Sequence, residues 1–247
     1  MNTNDEKESA VFSVILVAAG KSRRFIETDS NKSTVKKIFT SIHRKPVWLY
    51  SAEKFHGRED VAQLIIVVPP DDLTWFFRFY ADAINRMFLL VIAGGNERSD
   101  SVRNALSVVR SNVDFVAVHD AARPCVSKSE IDAVFRRARI DGAAMLATPI
   151  VGTIKRVYNG QIVETVSREN LWEAQTPQVF RRDILFKAYE HLGNTNTHPT
   201  DDAQLVEKAG YAISVVPADR SNIKITTQTD LTLAETILFR QKNSILY

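Results

Sequence analysis

The chain has 247 residues, 45% of them hydrophobic and 25% charged, proportions that exclude a disordered or fibrous protein. A formal charge of +3 is too small for a nucleic-acid binder, which would carry a basic stripe. No apolar run reaches the ~18 residues that span a bilayer, and the single cysteine, Cys125, excludes an internal disulfide.

The length leaves room for one large α/β domain or two small ones. The first ten residues, MNTNDEKESA, lack the apolar centre of a signal peptide and are too acidic for a transit peptide. They predict a disordered polar tail on a cytoplasmic protein, with the folded domain spanning residues 11–247.

Residues 11–25, VFSVILVAAGKSRRF, begin as a nearly unbroken apolar run, which suits a strand covered on both faces. Gly20 permits a sharp turn at its carboxyl end, where ligands of open α/β sheets bind. Lys21, Arg23, Arg24 and Lys32, followed by Lys36 and Lys37, make the next loop a candidate polyphosphate cradle or a solvated basic loop. A Walker A loop would need glycine where Ile15 stands, and the dinucleotide fingerprint needs glycines that Gly20 lacks around it.

A helix is predicted from Pro46 to about His56. Residues 64–68 read as a strand stopped by Pro69 and Pro70. A helix through Phe79 follows, capped by Asp71 or Asp72, with Trp75, Phe76 and Phe79 on its buried side. Residues 88–93 predict a third strand ending at Gly94 and Gly95, and Ser99 opens a helix with Val102, Leu106 and Val109 at helical spacing. Residues 115–119 form a fourth strand. Ser127 and Glu130 make a capping box for the next helix, and residues 143–149 are a fifth strand. Strands alternating with helices predict a Rossmann-like three-layer sandwich around a mostly parallel, twisted sheet.

The alternation breaks after Pro149. Residues 153–157 and 161–165 flank Asn159-Gly160, a hairpin signal, so residues 151–174 read as a projecting arm. An isolated hairpin is marginal in water, so the arm pairs with another subunit or folds back on its own domain. Helices at 182–191 and 201–209, the second capped by Thr200, strands at 213–216 and 223–225, and a closing helix at 231–239 complete the prediction.

Asp120, at the end of an apolar strand, has the placing of a Mg²⁺ ligand, since that ion takes one or two carboxylates with phosphate oxygens and water. It could equally cap a turn or pair with Arg123. His43, His56, His119, His191 and His198 lack the paired spacing of a zinc site, and His119 is expected to pack or bond locally.

Ala18-Ala19-Gly20 with Arg24 and Lys36, the segments from Gly94 to Val102 and from Asp120 to Pro124, Thr176-Pro177-Gln178 and Asn222-Ile223-Lys224 occur in one order. Together they resemble the 2-C-methyl-D-erythritol 4-phosphate cytidylyltransferases over nearly the whole chain. The resemblance implies transfer of CMP from CTP to a polyol phosphate in a homodimeric, Mg²⁺-dependent enzyme. It places Ala18, Ala19, Gly20, Gly95, Asn96, Ser101 and Ala121 around the nucleotide. Arg24, Lys36 and Lys224 fall on the phosphates as catalytic groups, and Asp120 on the metal. Arg123, Thr153, Arg168, Thr176 and Thr200 line the acceptor, Arg168 reaching across from a partner's arm. Val17, Val35, Asn96 and Gly152 depart from the family pattern. The nearest rival is a cytidylyltransferase for another polyol phosphate such as ribitol 5-phosphate; a nucleotide-binding domain without catalysis is a rival of another class.

Overall fold

The computed structural model describes residues 10–20, 38–192 and 199–243. Its frame is a seven-stranded sheet. In spatial order the strands are β11 (Ser214–Pro217), β7 (Ala143–Pro149), β10 (Trp172–Arg181), β6 (Phe115–Asp120), β1 (Phe12–Val17), β4 (Val61–Val68) and β5 (Leu90–Ala93). Every neighbouring pair is parallel except the two made by β10, which runs antiparallel to both β6 and β7. The expected mostly parallel sandwich is therefore present.

The unbroken apolar run of β1 has its physical cause in the layers above and below it. Phe12, Val14 and Leu16 face α1 (Val47–Phe55), α2 (Leu73–Met87) and α4 (Lys128–Asp141), where Trp48, Phe55, Phe76 and Phe135 are fully buried. Ile15 faces the other way, onto α3 (Arg98–Leu106), α5 (Arg182–Leu192) and α6 (Asp202–Lys208). Each such side chain removed from water contributes roughly 1.5–3 kcal/mol. The closing helix α7 (Gln228–Asn243) packs Ala234 and Leu238 against Val47, Cys125 and Ile225 in a third, smaller cluster.

Outside the main sheet, β2 (Ser41–Ile42) and β3 (Lys45–Pro46) form a small ladder. Pro46 therefore ends a strand, and the helix begins at Val47. The hairpin of β8 (Ile154–Tyr158) and β9 (Gln161–Val166) turns at Asn159 and Gly160, with φ of 47° and 78°. Positive φ at both central residues is what a tight turn matching the strand twist requires.

Several expectations are corrected. β10 was not foreseen: Trp172 to Ala174, assigned to the arm, pair with Pro149, Thr148 and Ala147 in the main sheet. A proline argues against a central strand, but Pro177 sits where the β10–β7 register breaks, between Ala174 and Gln178. The α2 helix continues to Met87, and of the three aromatics assigned to its buried side only Phe76 is buried. Trp75 and Phe79 are exposed because the face turned to the sheet continues through Ala83, Ile84 and Met87. Phe88 caps α2 in the left-handed region, so β5 starts at Leu90. Asp201, not Thr200, caps α6, its side chain accepting from the Gln204 N–H. Residues 223–225 form no strand; the Ile225 N–H donates to the Ala122 carbonyl, and the Ile225 side chain is buried in the third cluster. The capping box of Ser127 and Glu130 is present as expected.

Candidate active site

Three segments meet at the carboxyl edge of the sheet. Asp120 ends β6, Arg98 is the first residue of α3, Arg123 lies in the turn after β6, and Lys224 lies in the loop after β11. Lys224 Nζ is 2.7 Å from Asp120 Oδ2, Arg98 Nε 3.7 Å from Oδ1, and Arg123 Nε 3.9 Å from Oδ2. Burial by itself would push the Asp120 carboxyl up; Lys224, Arg98 and Arg123 outweigh it and hold the group below the usual carboxylate range. Asp120 is thus an anion among three cations, of which Arg98 and Lys224 come from remote parts of the chain and Arg123 from the adjoining turn.

The backbone beneath Asp120 is fixed by a short relay. Its N–H donates to Thr176 Oγ1 at 3.0 Å. That hydroxyl lies 3.1 Å from His119 Nδ1, and His119 Nε2 lies 3.2 Å from the Arg123 carbonyl. Because a carbonyl only accepts, Nε2 carries the proton, and Thr176 donates to a bare Nδ1. A neutral imidazole satisfies both ends. Burial pushes His119 down to about 4, against the upward pull of Asp120, and its ring meets Phe55 edge-on. The expectation of a locally bonded His119 holds.

Arg123 is braced by Nη1 donating to the Asn222 carbonyl at 2.7 Å and Nη2 to Ala174 at 3.4 Å. The Asn222 amide donates to Gln175 Oε1 and the Thr176 carbonyl, which fastens the Lys224 loop to β10. Glu130 adds a further tie by accepting from the Asp219 N–H.

On the other side of β1, Ala18 and Ala19 follow the strand, and Gly94 lies so near that a Cβ on it would stand 2.5 Å from the Ala19 Cβ and 2.9 Å from Ser101 Oγ. Only glycine permits that approach. Ser101 accepts from the Gly95 N–H and donates to the Glu97 carbonyl, both at 3.1 Å, so it shapes the loop carrying Gly95 and Asn96. Ala18 donates to the Val67 carbonyl, while Gly20 is exposed just beyond. Ala121 is buried, with its N–H on the Val17 carbonyl and its carbonyl held by the Ser51 hydroxyl.

Of the remaining predicted residues, Thr153, Arg168 and Thr200 are described. Thr200 is exposed, with its N–H on Gln204 Oε1, immediately before α6. Thr153 is exposed at the base of the arm, and Arg168 there donates to the Val151 carbonyl of its own chain. Arg24 and Lys36 lie outside the described residues.

Nothing in the sequence singles out Asp202 or Tyr189, and Arg98 falls within the segment from Gly94 to Val102, where the resemblance gives it no role. Asp202 is fully buried, its Oδ2 2.7 Å from Arg98 Nη2 and its Oδ1 accepting from the Tyr189 hydroxyl at 2.6 Å. Burial lowers the proton affinity of Arg98, but Asp202 and Asp120 more than offset it. One signal pointed to Arg98: a cation on the first residue of a helix opposes the helix dipole and calls for a reason beyond helix stability.

The donor set fits a Mg²⁺ ion that arrives with its ligand. Among the described residues no group of three or more His, Cys, Asp or Glu is placed to hold a metal. A single carboxylate is nevertheless enough for Mg²⁺ when phosphate oxygens and water complete its shell. The surrounding cations disfavour the bare ion and favour one carrying a polyphosphate.

The sequence profile of the 2-C-methyl-D-erythritol 4-phosphate cytidylyltransferase family matches residues 12–240. A protein of that name from Rhodopirellula baltica is 38% identical over 241 residues, covering 93% of this chain and 96% of its own. One from Endomicrobium trichonymphae is 39% identical over 225 residues, covering 91% and 97%. The crystal structure of the Francisella tularensis 2-C-methyl-D-erythritol 4-phosphate cytidylyltransferase superposes with a TM-score of 0.76 at 31% identity, over 92% of this chain and 100% of that one.

Proposed function

Because the chain belongs to the 2-C-methyl-D-erythritol 4-phosphate cytidylyltransferase family, we propose that it carries out that family's reaction at the cluster around Asp120. It is a nucleotidyltransferase that moves CMP from CTP onto 2-C-methyl-D-erythritol 4-phosphate in isoprenoid biosynthesis. An oxygen of the acceptor's phosphate forms a bond to the α-phosphorus, the bond from that phosphorus to the β-phosphate bridge breaks, and pyrophosphate leaves.

The observation that carries this reading is the convergence of Lys224, Arg98 and Arg123 on Asp120 at one sheet edge. Such transfers depend mainly on positioning and charge neutralisation. The attacking phosphate monoester is mostly dianionic above a pKa of about 6, so no base has to activate it. His119 agrees with that requirement, since both its nitrogens are engaged and it lies buried beneath the site.

Asp120 would hold Mg²⁺, which when bound supplies positive charge to the triphosphate oxygens. Lys224 would then exchange Asp120 for a phosphate oxygen, and its side chain, 37% exposed, has the freedom to do so. Arg24 and Lys36 would add charge from the loop after β1. The backbone of Ala18, Ala19 and the Gly95 loop would face the base, and Arg123 and Thr176 would keep Asp120 in place while the acceptor approaches from the Thr153, Arg168 and Thr200 side.

The arm supports a homodimer. Val157, Tyr158, Ile162 and Val163 are all exposed on a hairpin whose strands, among the described residues, pair only with each other. Burying them against a second copy would give that hairpin the packing it needs. Among the described residues no helix is long and apolar enough to cross a membrane.

Pyrophosphate release, measured with CTP, ATP, GTP and UTP against 2-C-methyl-D-erythritol 4-phosphate and ribitol 5-phosphate, tests the reading. Turnover is expected with CTP and the methylerythritol acceptor; turnover with ribitol phosphate alone would reassign the acceptor, and CTP binding without turnover would reduce the protein to a nucleotide-binding domain.

A further inference from the structure

We propose that Tyr189 and Asp202 are positioning residues that fix the Arg98 guanidinium beside Asp120, making Arg98 the stationary cation of the triphosphate site. The inference rests on the CTP-dependent reading above and assigns work within that site to two buried groups that touch neither substrate.

Asp202 has 0% exposure, and a buried carboxylate is unfavourable unless it is paired and hydrogen-bonded. Its Oδ1 takes the Tyr189 hydroxyl and its Oδ2 faces Arg98 Nη2. For stability alone, apolar side chains of similar volume would serve at least as well, because the desolvation of a buried pair often exceeds its attraction. What the pair provides is orientation. Tyr189 itself is anchored in the apolar layer between α5 and the sheet, so the chain of contacts runs from a rigid core to the rim.

Arg98 spans that distance. One nitrogen lies against Asp202 and another 3.7 Å from Asp120, with the side chain 24% exposed. No ion pair to its Nη1 occurs among the described residues. When a triphosphate displaces Lys224 from Asp120, Lys224 can follow it, whereas Arg98 is held from behind by Asp202. A cation that does not move when the α-phosphorus becomes crowded with oxygen requires no reorganisation at the moment of transfer.

The test is a double-mutant cycle on the full-length enzyme with saturating Mg²⁺. Arg98→Lys, Asp202→Asn, Tyr189→Phe and the pairs Arg98→Lys/Asp202→Asn and Arg98→Lys/Tyr189→Phe are compared. For each, kcat and the KM for CTP and for the acceptor are measured. Each single change is expected to lower kcat/KM for CTP by about tenfold while the acceptor KM stays within twofold. Each pair should be no worse than about threefold beyond its poorer member, the non-additivity of residues acting as one unit. Fully multiplicative losses, or Arg98→Lys and Tyr189→Phe both within twofold of the parent, would overturn the inference. If Asp202→Asn fails to fold, the Tyr189→Phe cycle decides. If the parent shows no turnover with any acceptor, the functional reading falls, and the same cycle read by calorimetric affinity for Mg²⁺-loaded CTP judges the coupling by itself.

Discussion

Lys224 Nζ sits 2.7 Å from Asp120 Oδ2, an ion pair between the end of a central strand and a loop delivered from the far edge of the sheet. Each group screens the other, and in the proposed reaction a bound nucleotide would give each a different partner.

Replacing Lys224 with alanine should therefore lower kcat by ~10²–10³-fold, the usual loss when one preorganised donor is removed from a transition state. The fold should survive, since the side chain is partly exposed. Steady-state kinetics with circular dichroism checks both statements, and a loss below threefold would remove Lys224 from the mechanism.

Mg²⁺ alone should bind the enzyme weakly, because a single carboxylate ringed by cations is its only described anchor. With CTP present, titration calorimetry should show Mg²⁺ uptake, and chelation should abolish turnover. Asp120→Asn should raise the Mg²⁺ concentration needed for half-maximal rate. Tight metal binding by the nucleotide-free protein would contradict this arrangement.

Thr176→Val removes the acceptor of the Asp120 N–H and the donor to His119 while keeping the shape. Leaving those buried groups unpaired should cost ~1–3 kcal/mol of stability and loosen Asp120. Thr176→Ser should restore most of both. Urea unfolding and kcat measured on the two variants decide it; equal behaviour of Val and Ser would mean the hydroxyl is idle.

The buried His119 predicts a pH dependence of folding. Its folded pKa is depressed to about 4 from an ordinary 6.5, so between those values the unfolded chain binds the extra proton. Stability from this group is complete above pH ~6.5 and falls towards pH ~4, by a total of order 3 kcal/mol. Asp120 acts in a lower window: its carboxyl is held below the ordinary range, so its contribution is present above the unfolded value and lost only in stronger acid. In His119→Asn, unfolding free energies measured from pH 7 to 4 should lose most of the wild-type slope. An unchanged slope would place the titration elsewhere.

The arm can be tested by mixing subunits. Arg168→Ala and Lys36→Ala enzymes, each nearly inactive alone, should recover activity when combined if Arg168 serves the neighbouring site. Light scattering on a variant with residues 154–166 replaced by a short Gly-Ser link should give the monomer mass. A dimer of that variant, or no recovery in the mixture, would return the arm to its own domain.

Most of the framework could be read from the chain because it obeys simple periodicities. The apolar run of β1, the Ser127 and Glu130 box and the Asn159-Gly160 turn each have a local cause that works without tertiary context. β10 was hidden because Glu173, Gln175, Pro177 and Gln178 make it neither alternating nor apolar. Its place is set by partners: the register break lets Thr176 meet Asp120, and Gln178 bonds Asp201 and the Ala203 N–H. Asp120 and Lys224 were visible as charges at strand ends or in motifs. Asp202 and Tyr189 were not, since nothing local distinguishes a buried acid inside a helix start from an ordinary first-turn carboxylate. The aromatics of α2 misled for a related reason: three large rings suggested a core, but helix geometry turns only Phe76 inward.

The strand that emerges from the foot of the hairpin is the one that threads the middle of the sheet and grips Asp120 through Thr176. A tug on the exposed hairpin would thus reach the acid at the sheet's rim along one continuous stretch of chain, through the connection at 167–171 and the register break of β10. If the hairpin seats against a second copy as proposed, assembly and catalysis share that stretch, and a lesion in the outlying ribbon should be felt first as a mis-set carboxylate.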